Sequence, residues 1–442
     1  MSCPRSGTHP SDRGLFRISG MPTLLFSSFI GNFALWGALF IGVQSLNASG
    51  ASVLAVQCTA IASFAPLLLA GTLAGRLAER LDRLGALRVL VVLLASGMAA
   101  LALATALDAP VAVVYVAALL GGLGQIGNLT LLRPVLYELA GPHRGPTGLA
   151  MDALGSSLAV CLGPLVMGFL MTVGGATGGY AVITVLFLAS RTALAWVSVP
   201  PQPVDKAPLP APTPRMSRRL PYGLSGILGI TIVVNLFYFP FQAIIPVVGE
   251  RFTTVPSLLG VLAAGPGLGM VAGNTVIALL RPRRLGAIYL VGSVLCLLSM
   301  VVAVHAPLFG LAFIVLVVAG LGVSGFSGSQ ATLVLQASPD GQRSRTMGLL
   351  STAIGVMPIG TLLMGVASTT VGIVAAVTIS GAVGVGTLVL CLPMCRPFLR
   401  GTHVHRPAEV PDAAPRATRS RSFADTPPAS DSPGPTAPCP AD

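Results

Sequence analysis

Residues 18 to 75 read ISGMPTLLFSSFIGNFALWGALFIGVQSLNASGASVLAVQCTAIASFAPLLLAGTLAG, 58 positions without one charged side chain, bounded by Arg17 and Arg76. A bilayer is the solvent such a stretch fits. A spanning helix needs roughly 20 apolar residues, because about 30 Å of hydrocarbon is crossed at about 1.5 Å per residue. Every backbone polar group inside the hydrocarbon must bond internally, which leaves the helix as the form for so long an apolar run. Seven more charge-free runs follow, at 89–107, 109–132, 153–190, 220–249, 252–280, 285–339 and 346–395. The runs of 58, 38, 55 and 50 residues hold two helices each and the other four hold one, which predicts twelve spans.

The remaining charges orient those spans. With both termini inside, the N-terminus, the even-numbered loops and the tail carry 24 of the 26 Lys and Arg residues. Arg251 alone falls outside and Arg191 alone falls within a helix. Basic residues collect on the cytoplasmic side of membrane proteins, so this one-sidedness sets the topology. The expected setting is a multi-pass protein of a bacterial plasma membrane with both termini cytoplasmic; one Lys against 25 Arg, with 52 Gly and 36 Pro, suggests a GC-rich bacterial genome.

A net charge of +12 on a soluble domain would point to nucleic acid, but here the arginines are spread over short turns, where they meet anionic headgroups. No nucleic-acid partner is expected. The first 20 residues lack a short apolar core, so helix 1 itself directs insertion. The seven cysteines are scattered, without a disulfide framework or a metal site. Neither a metal nor a cofactor is expected.

A shift of about 200 residues brings the two halves into register. Arg80-Leu-Asp-Arg-Leu-Gly-Ala86 faces Arg281-Pro-Arg-Arg-Leu-Gly-Ala287, Gly122-Leu-Gly124 faces Gly320-Leu-Gly322, and Asn32 faces Asn235. The chain therefore divides into a cytoplasmic segment at 1–20, a six-helix bundle at 21–199, a Pro-rich cytoplasmic linker at 200–220, a second six-helix bundle at 221–397, and a disordered cytoplasmic tail at 398–442.

Six plus six helices as parallel repeats resemble the major facilitator superfamily of secondary transporters, an all-α membrane fold. The segment Gly71-Thr-Leu-Ala-Gly75-Arg-Leu-Ala-Glu79-Arg80-Leu-Asp-Arg83 is similar to that family's motif between helices 2 and 3. The resemblance implies that Gly75 allows a close helix approach, that Glu79 takes the place of an Asp, and that Arg80 and Arg83 complete a charge network that latches the cytoplasmic side. Asp82 stands where a second Gly is usual. Gly163-Pro164-Leu-Val-Met-Gly168 in helix 5 resembles the Gly-Pro motif of the antiporter branch, with Ala159 and Met167 where that motif prefers Gly. The whole is most like the bacterial branch of drug, siderophore and metabolite exporters.

Other motifs carry no chemistry here. Gly122-Leu-Gly124-Gln-Ile-Gly127 and Gly320-Leu-Gly322-Val-Ser-Gly325 fit the dinucleotide fingerprint, but both lie in apolar helices without a preceding strand, where such glycines pack helices. Gly325-Phe-Ser327-Gly328 resembles the nucleophile of intramembrane serine proteases, yet none of the five histidines lies in mid-membrane to activate it. No enzyme activity is expected.

The fold so implied places helices 1, 2, 4, 5, 7, 8, 10 and 11 around a central cavity. Candidate substrate-binding residues are Asn32, Trp36, Gln125, Asn128, Asn235, Tyr238, Gln242 and Gln330, joined by Gln44, Gln57, Asn274, Phe237, Phe239 and Phe241. A polar side chain in hydrocarbon faces a cavity or bonds a neighbour. The set makes a polar, uncharged lining suited to small amphipathic organic molecules. Coupling and gating candidates are Asp152 and Arg191, with Gly75, Glu79, Arg80, Arg83, Gly163 and Pro164. Asp152 is read as lying one turn into helix 5, and Arg191 as lying two turns from the end of helix 6, paired with Asp152 or snorkelling. The expected function is proton-linked export by alternating access, by a monomer whose partners are substrate, proton and lipid. The alternatives are an uptake permease of the same fold and a non-transporting receptor.

Overall fold

The computed structural model describes residues 17–78, 83–127, 131–197, 222–280, 282, 284–338 and 343–399. Fourteen helices occupy them: α1 Met21–Ala48, α2 Val53–Ala78, α3 Arg83–Ala106, α4 Val111–Gly127, α5 Arg133–Ala195, α6 Tyr222–Phe237, α7 Phe239–Ala243, α8 Ile245–Gly249, α9 Pro256–Leu280, α10 Leu285–His305, α11 Phe309–Ala337, α12 Arg343–Ile354, α13 Met357–Val371 and α14 Ile373–Leu399. There is no strand among the described residues.

These helices make twelve spans. Nine among the described residues are long and apolar enough to cross a bilayer, and Val53–Pro66 and Val111–Leu120 are shorter apolar helices. One of the nine, Thr147–Ala195, is 49 residues long and crosses twice, because Gly175 at φ 63° takes a left-handed conformation that reverses α5. Gly141 at φ 73° interrupts the same helix earlier, and the span that follows it begins before the charge-free run does. Asp152 lies 11 residues past Gly141 and five past Thr147, where the apolar span begins. Arg191 lies four residues from the end of α5 at Ala195, about one turn rather than two.

The seventh span is expected as one helix and is instead three, α6, α7 and α8. Pro240 and Pro246 have no N–H to give, so the carbonyls of Leu236 and Gln242 lose their helical donors. The Ile244 amide bonds the Phe241 carbonyl at 3.0 Å, three residues back, which leaves the Pro240 carbonyl outside the ladder as well. Gly360 of α13 packs directly onto the Leu236 carbonyl, where any side chain would collide. The eleventh span breaks likewise, between α12 and α13 ahead of Pro358.

The repeat persists in atomic detail. Asn32 Nδ2 donates to the Ser28 carbonyl at 2.9 Å, and Asn235 Nδ2 donates to the Thr231 carbonyl at 2.9 Å, each four residues back. A Cβ on Gly122 would collide with the Ser63 carbonyl beside Pro66, and one on Gly320 with the Pro266 carbonyl. The paired glycines are contact points between helices.

Arginines close two helix ends. Arg88 of α3 donates from Nε to the Leu194 carbonyl at 3.1 Å and from Nη2 to the Val197 carbonyl at 2.9 Å, at the end of α5. Arg251 donates to the carbonyls of Ala303 and Val304 at the end of α10. Cations there satisfy orphan carbonyls and meet the negative pole of the helix dipole.

Candidate functional site between the two halves

The halves meet along two seams. In one, α5 lies on α9: Gly168 and Gly260 let the backbones approach, since a Cβ on Gly168 would lie 2.6 Å from the Pro256 carbonyl oxygen. Further along, Gly267 abuts the Cys161 backbone, and Asn274 Nδ2 donates to Ser157 Oγ at 2.8 Å. Small residues are what allow helices to pack so closely in lipid. In the other seam α2 meets α7 and α13. Gln57, fully buried, donates from Nε2 to the Pro240 carbonyl at 3.2 Å, so the acceptor freed by the broken seventh span is taken by the other half. Gly365 of α13 seats against Leu54 and Gln57. At the end of the molecule away from Met21, Gln44 Nε2 lies 3.4 Å from Glu250 Oε1.

Between the seams is a narrow cleft with about 20 Å³ of free volume, room for about one water as the halves stand, lined by Trp36 and Phe40 of α1, Pro164 of α5, Gln242 of α7, Pro246 of α8 and Ala263 of α9, among others. None of its lining residues is charged. Gln242 is 8 % exposed and its Oε1 has no hydrogen-bond partner. Gly163 sits behind the cleft on α1, where a Cβ would lie 3.0 Å from both the Gly37 amide nitrogen and the Phe33 carbonyl oxygen.

Asp152, 4 % exposed, accepts a hydrogen bond from Ser28 Oγ, which ties α5 to α1. One residue along, Ser27 accepts from Ser190 Oγ at 2.9 Å. The neighbouring Arg191 keeps its guanidinium Nε buried and unpaired.

The structure therefore brings Trp36, Pro164 and Gln242 into one cleft, with Gly163 supporting it. Asn32 and Asn235 bond their own helices. Gln330 donates to Thr231 Oγ1 at 2.9 Å, inside a buried cluster with Tyr289, whose ring stacks on Phe326 at 5.2 Å. Tyr238 is fully buried beside Phe239 and Phe241. Gly75, Arg83 and Gln125 lie on helices whose side chains there are outside the described set, and Glu79, Arg80 and Asn128 lie outside the described residues altogether. Sequence reasoning missed Ser28. Its only signal was its place one turn before Asn32 in an apolar run.

A helical protein of twelve spans in two parallel six-helix repeats, with its cleft between them, has the architecture of a secondary transporter. Residues 23–242 and 227–429 each match the Major Facilitator Superfamily, and the chain belongs to that family. It is a transporter of small molecules and not an enzyme. Similar solved structures include a POT family transporter in complex with a thioalcohol-conjugated peptide, at 14 % identity and TM-score 0.69 over 86 % of this chain and 96 % of that one. Another is a bacterial homolog of the human lysosomal transporter Spinster, inward-facing and occupied, at 15 % identity and TM-score 0.66 over 89 % and 98 %. Identities this low carry the fold alone. No curated protein matches the chain.

Proposed function

We propose that this protein is a proton-linked exporter of small amphipathic organic molecules, acting by alternating access as a monomer in a bacterial plasma membrane with both termini cytoplasmic. The observation that carries the proposal is the charge-free cleft of Trp36, Phe40, Pro164 and Gln242 between the halves. A carboxylate or phosphate would leave its hydration shell there without a cation to replace it, whereas an apolar body with one neutral polar edge would not. The same consideration weighs against a zwitterionic peptide as substrate.

Asp152 is the group we assign to proton coupling. It is a carboxyl buried in a spanning helix, and its hydrogen bond to Ser28 spans α5 and α1, two helices that line the cleft. Protonation changes what that bond can be, from carboxylate accepting to carboxylic acid able to donate, and so biases how the two helices sit. The Gly163-Pro164 turn of α5, pressed on α1, supports export as the direction, and the 24 basic residues of the expected inner segments support the orientation.

The test is accumulation of a panel of fluorescent or toxic amphipathic compounds in cells expressing the protein, against a vector control, with and without a protonophore. Lower accumulation that the protonophore abolishes is the expected result. Higher accumulation would reverse the direction to uptake, and no change for any compound would favour a non-transporting role.

A further inference from the structure

Gln242 is the polar group of the cleft for which the fold supplies no answer. It is 8 % exposed, its Oε1 is unpaired, and the side chain makes no hydrogen bond to the protein, whereas Gln57 and Gln44 each spend their Nε2 on the opposite half. Its position is fixed by the break in the seventh span. Pro240 and Pro246 set off the five-residue α7 and turn Gln242 into the cleft opposite Trp36 and Phe40. A buried primary amide presents a donor and an acceptor side by side, whichever way its oxygen and nitrogen are assigned. Left unpaired, it is destabilising, so it persists where something pairs with it for part of the cycle.

We infer that Gln242 is the specificity-determining residue of the cleft, and that the substrate it selects is an uncharged, flat molecule bearing an adjacent hydrogen-bond donor and acceptor, such as an amide, lactam or imide edge on an apolar ring. This rests on the transport reading above and narrows it. The cleft as it stands has room for about one water, so the substrate enters when the halves part; its amide edge then pairs with Gln242 in two parallel hydrogen bonds, while its ring lies against Trp36 and Phe40. An ester of the same shape keeps the acceptor and loses the donor, an amine keeps only donors and adds a charge, and a carboxylate brings a charge with no cation among the lining residues to receive it.

The experiment uses the full-length protein in lipid vesicles and four probes with one ring system: naphthamide, methyl naphthoate, naphthylmethylamine and naphthoate. Binding and vesicle flux are read in the same preparation. Wild type is expected to bind naphthamide roughly ten- to hundred-fold better than the ester, and Gln242→Leu to bring the two to the same level. Gln242→Glu, which keeps the shape and removes the donor when ionised, is expected to move the preference to naphthylmethylamine, and it serves should Gln242→Leu not assemble. Equal binding of amide and ester by wild type, an amide preference that survives both variants, or no binding of any probe would overturn the inference. Flux of all four probes without preference would overturn it while leaving transport standing. Binding of naphthamide with no flux of any probe would uphold the selectivity of Gln242 and go against the transport reading itself.

Discussion

At the scale of single residues, two side chains show how the sequence pattern and the packing relate. Met167 departs from the Gly-rich pattern that helix 5 resembles, and in isolation that reads as a weakness. The structure shows that the small residue has moved to the partner helix: Met167 is fully buried, and a Cβ on Gly37 of α1 would lie 2.7 Å from its Cγ. The pair is complementary, so restoring a small residue harms it. Met167→Ala is expected to lower stability by about 2–5 kcal/mol, read as thermal unfolding in lipid nanodiscs. Asp152 was visible in the sequence as a carboxyl near an apolar run, but its partner was not, because a serine in a helix carries no mark of which neighbour it faces. Asp152→Asn is expected to remove the pH dependence of transport while leaving binding at the cleft within a few-fold, and Ser28→Ala to shift the pH profile. Unchanged profiles in both variants would count against coupling through this bond.

At the scale of helices, the departures from the expected twelve straight spans fall where proline removes a donor. The charge-free run at 220–249 announced one span, and its two interior prolines were in plain view. What takes the carbonyls left free where the span breaks could not be read, because the fate of a carbonyl depends on the helix across from it. The Pro240 carbonyl is held by Gln57 of α2, and this bond joins the halves. Gln57→Leu leaves that buried carbonyl without a donor and is expected to weaken the α2 seam. Cysteines at Leu54 and Gly365 should then cross-link more slowly than in the parent with Gln57 intact; an unchanged rate would remove the bond from the account. Arg88 offers a check on helix closure. Arg88→Ala leaves the Leu194 and Val197 carbonyls short of a charged donor and should lower stability by about 1.5–3 kcal/mol in the same nanodisc melts.

At the scale of the whole molecule, the repeat was the most legible feature, since a shared offset of about 200 residues ties together positions that share a structural duty. Asn32 with Asn235 and Gly122 with Gly320 prove to make matching contacts in the two halves. The candidate site was only partly legible. Polar residues in apolar helices could be singled out, but whether each faces the cleft, as Gln242 does, or the interior of one half, as Gln330 does, is set by helix rotation that periodicity in an almost uniformly apolar run leaves undefined. The halves meet along seams of glycine bridged by single hydrogen bonds, and alternating access as proposed would act by parting those seams.

The direct measurement is flux of a neutral amphipathic dye into or out of vesicles containing only this protein, with a pH gradient imposed in either direction. Proton coupling through Asp152 predicts dye movement against its own concentration gradient, driven by an opposing proton gradient and lost in Asp152→Asn. Dye movement that follows only its own gradient, the same with and without the pH difference, would contradict it.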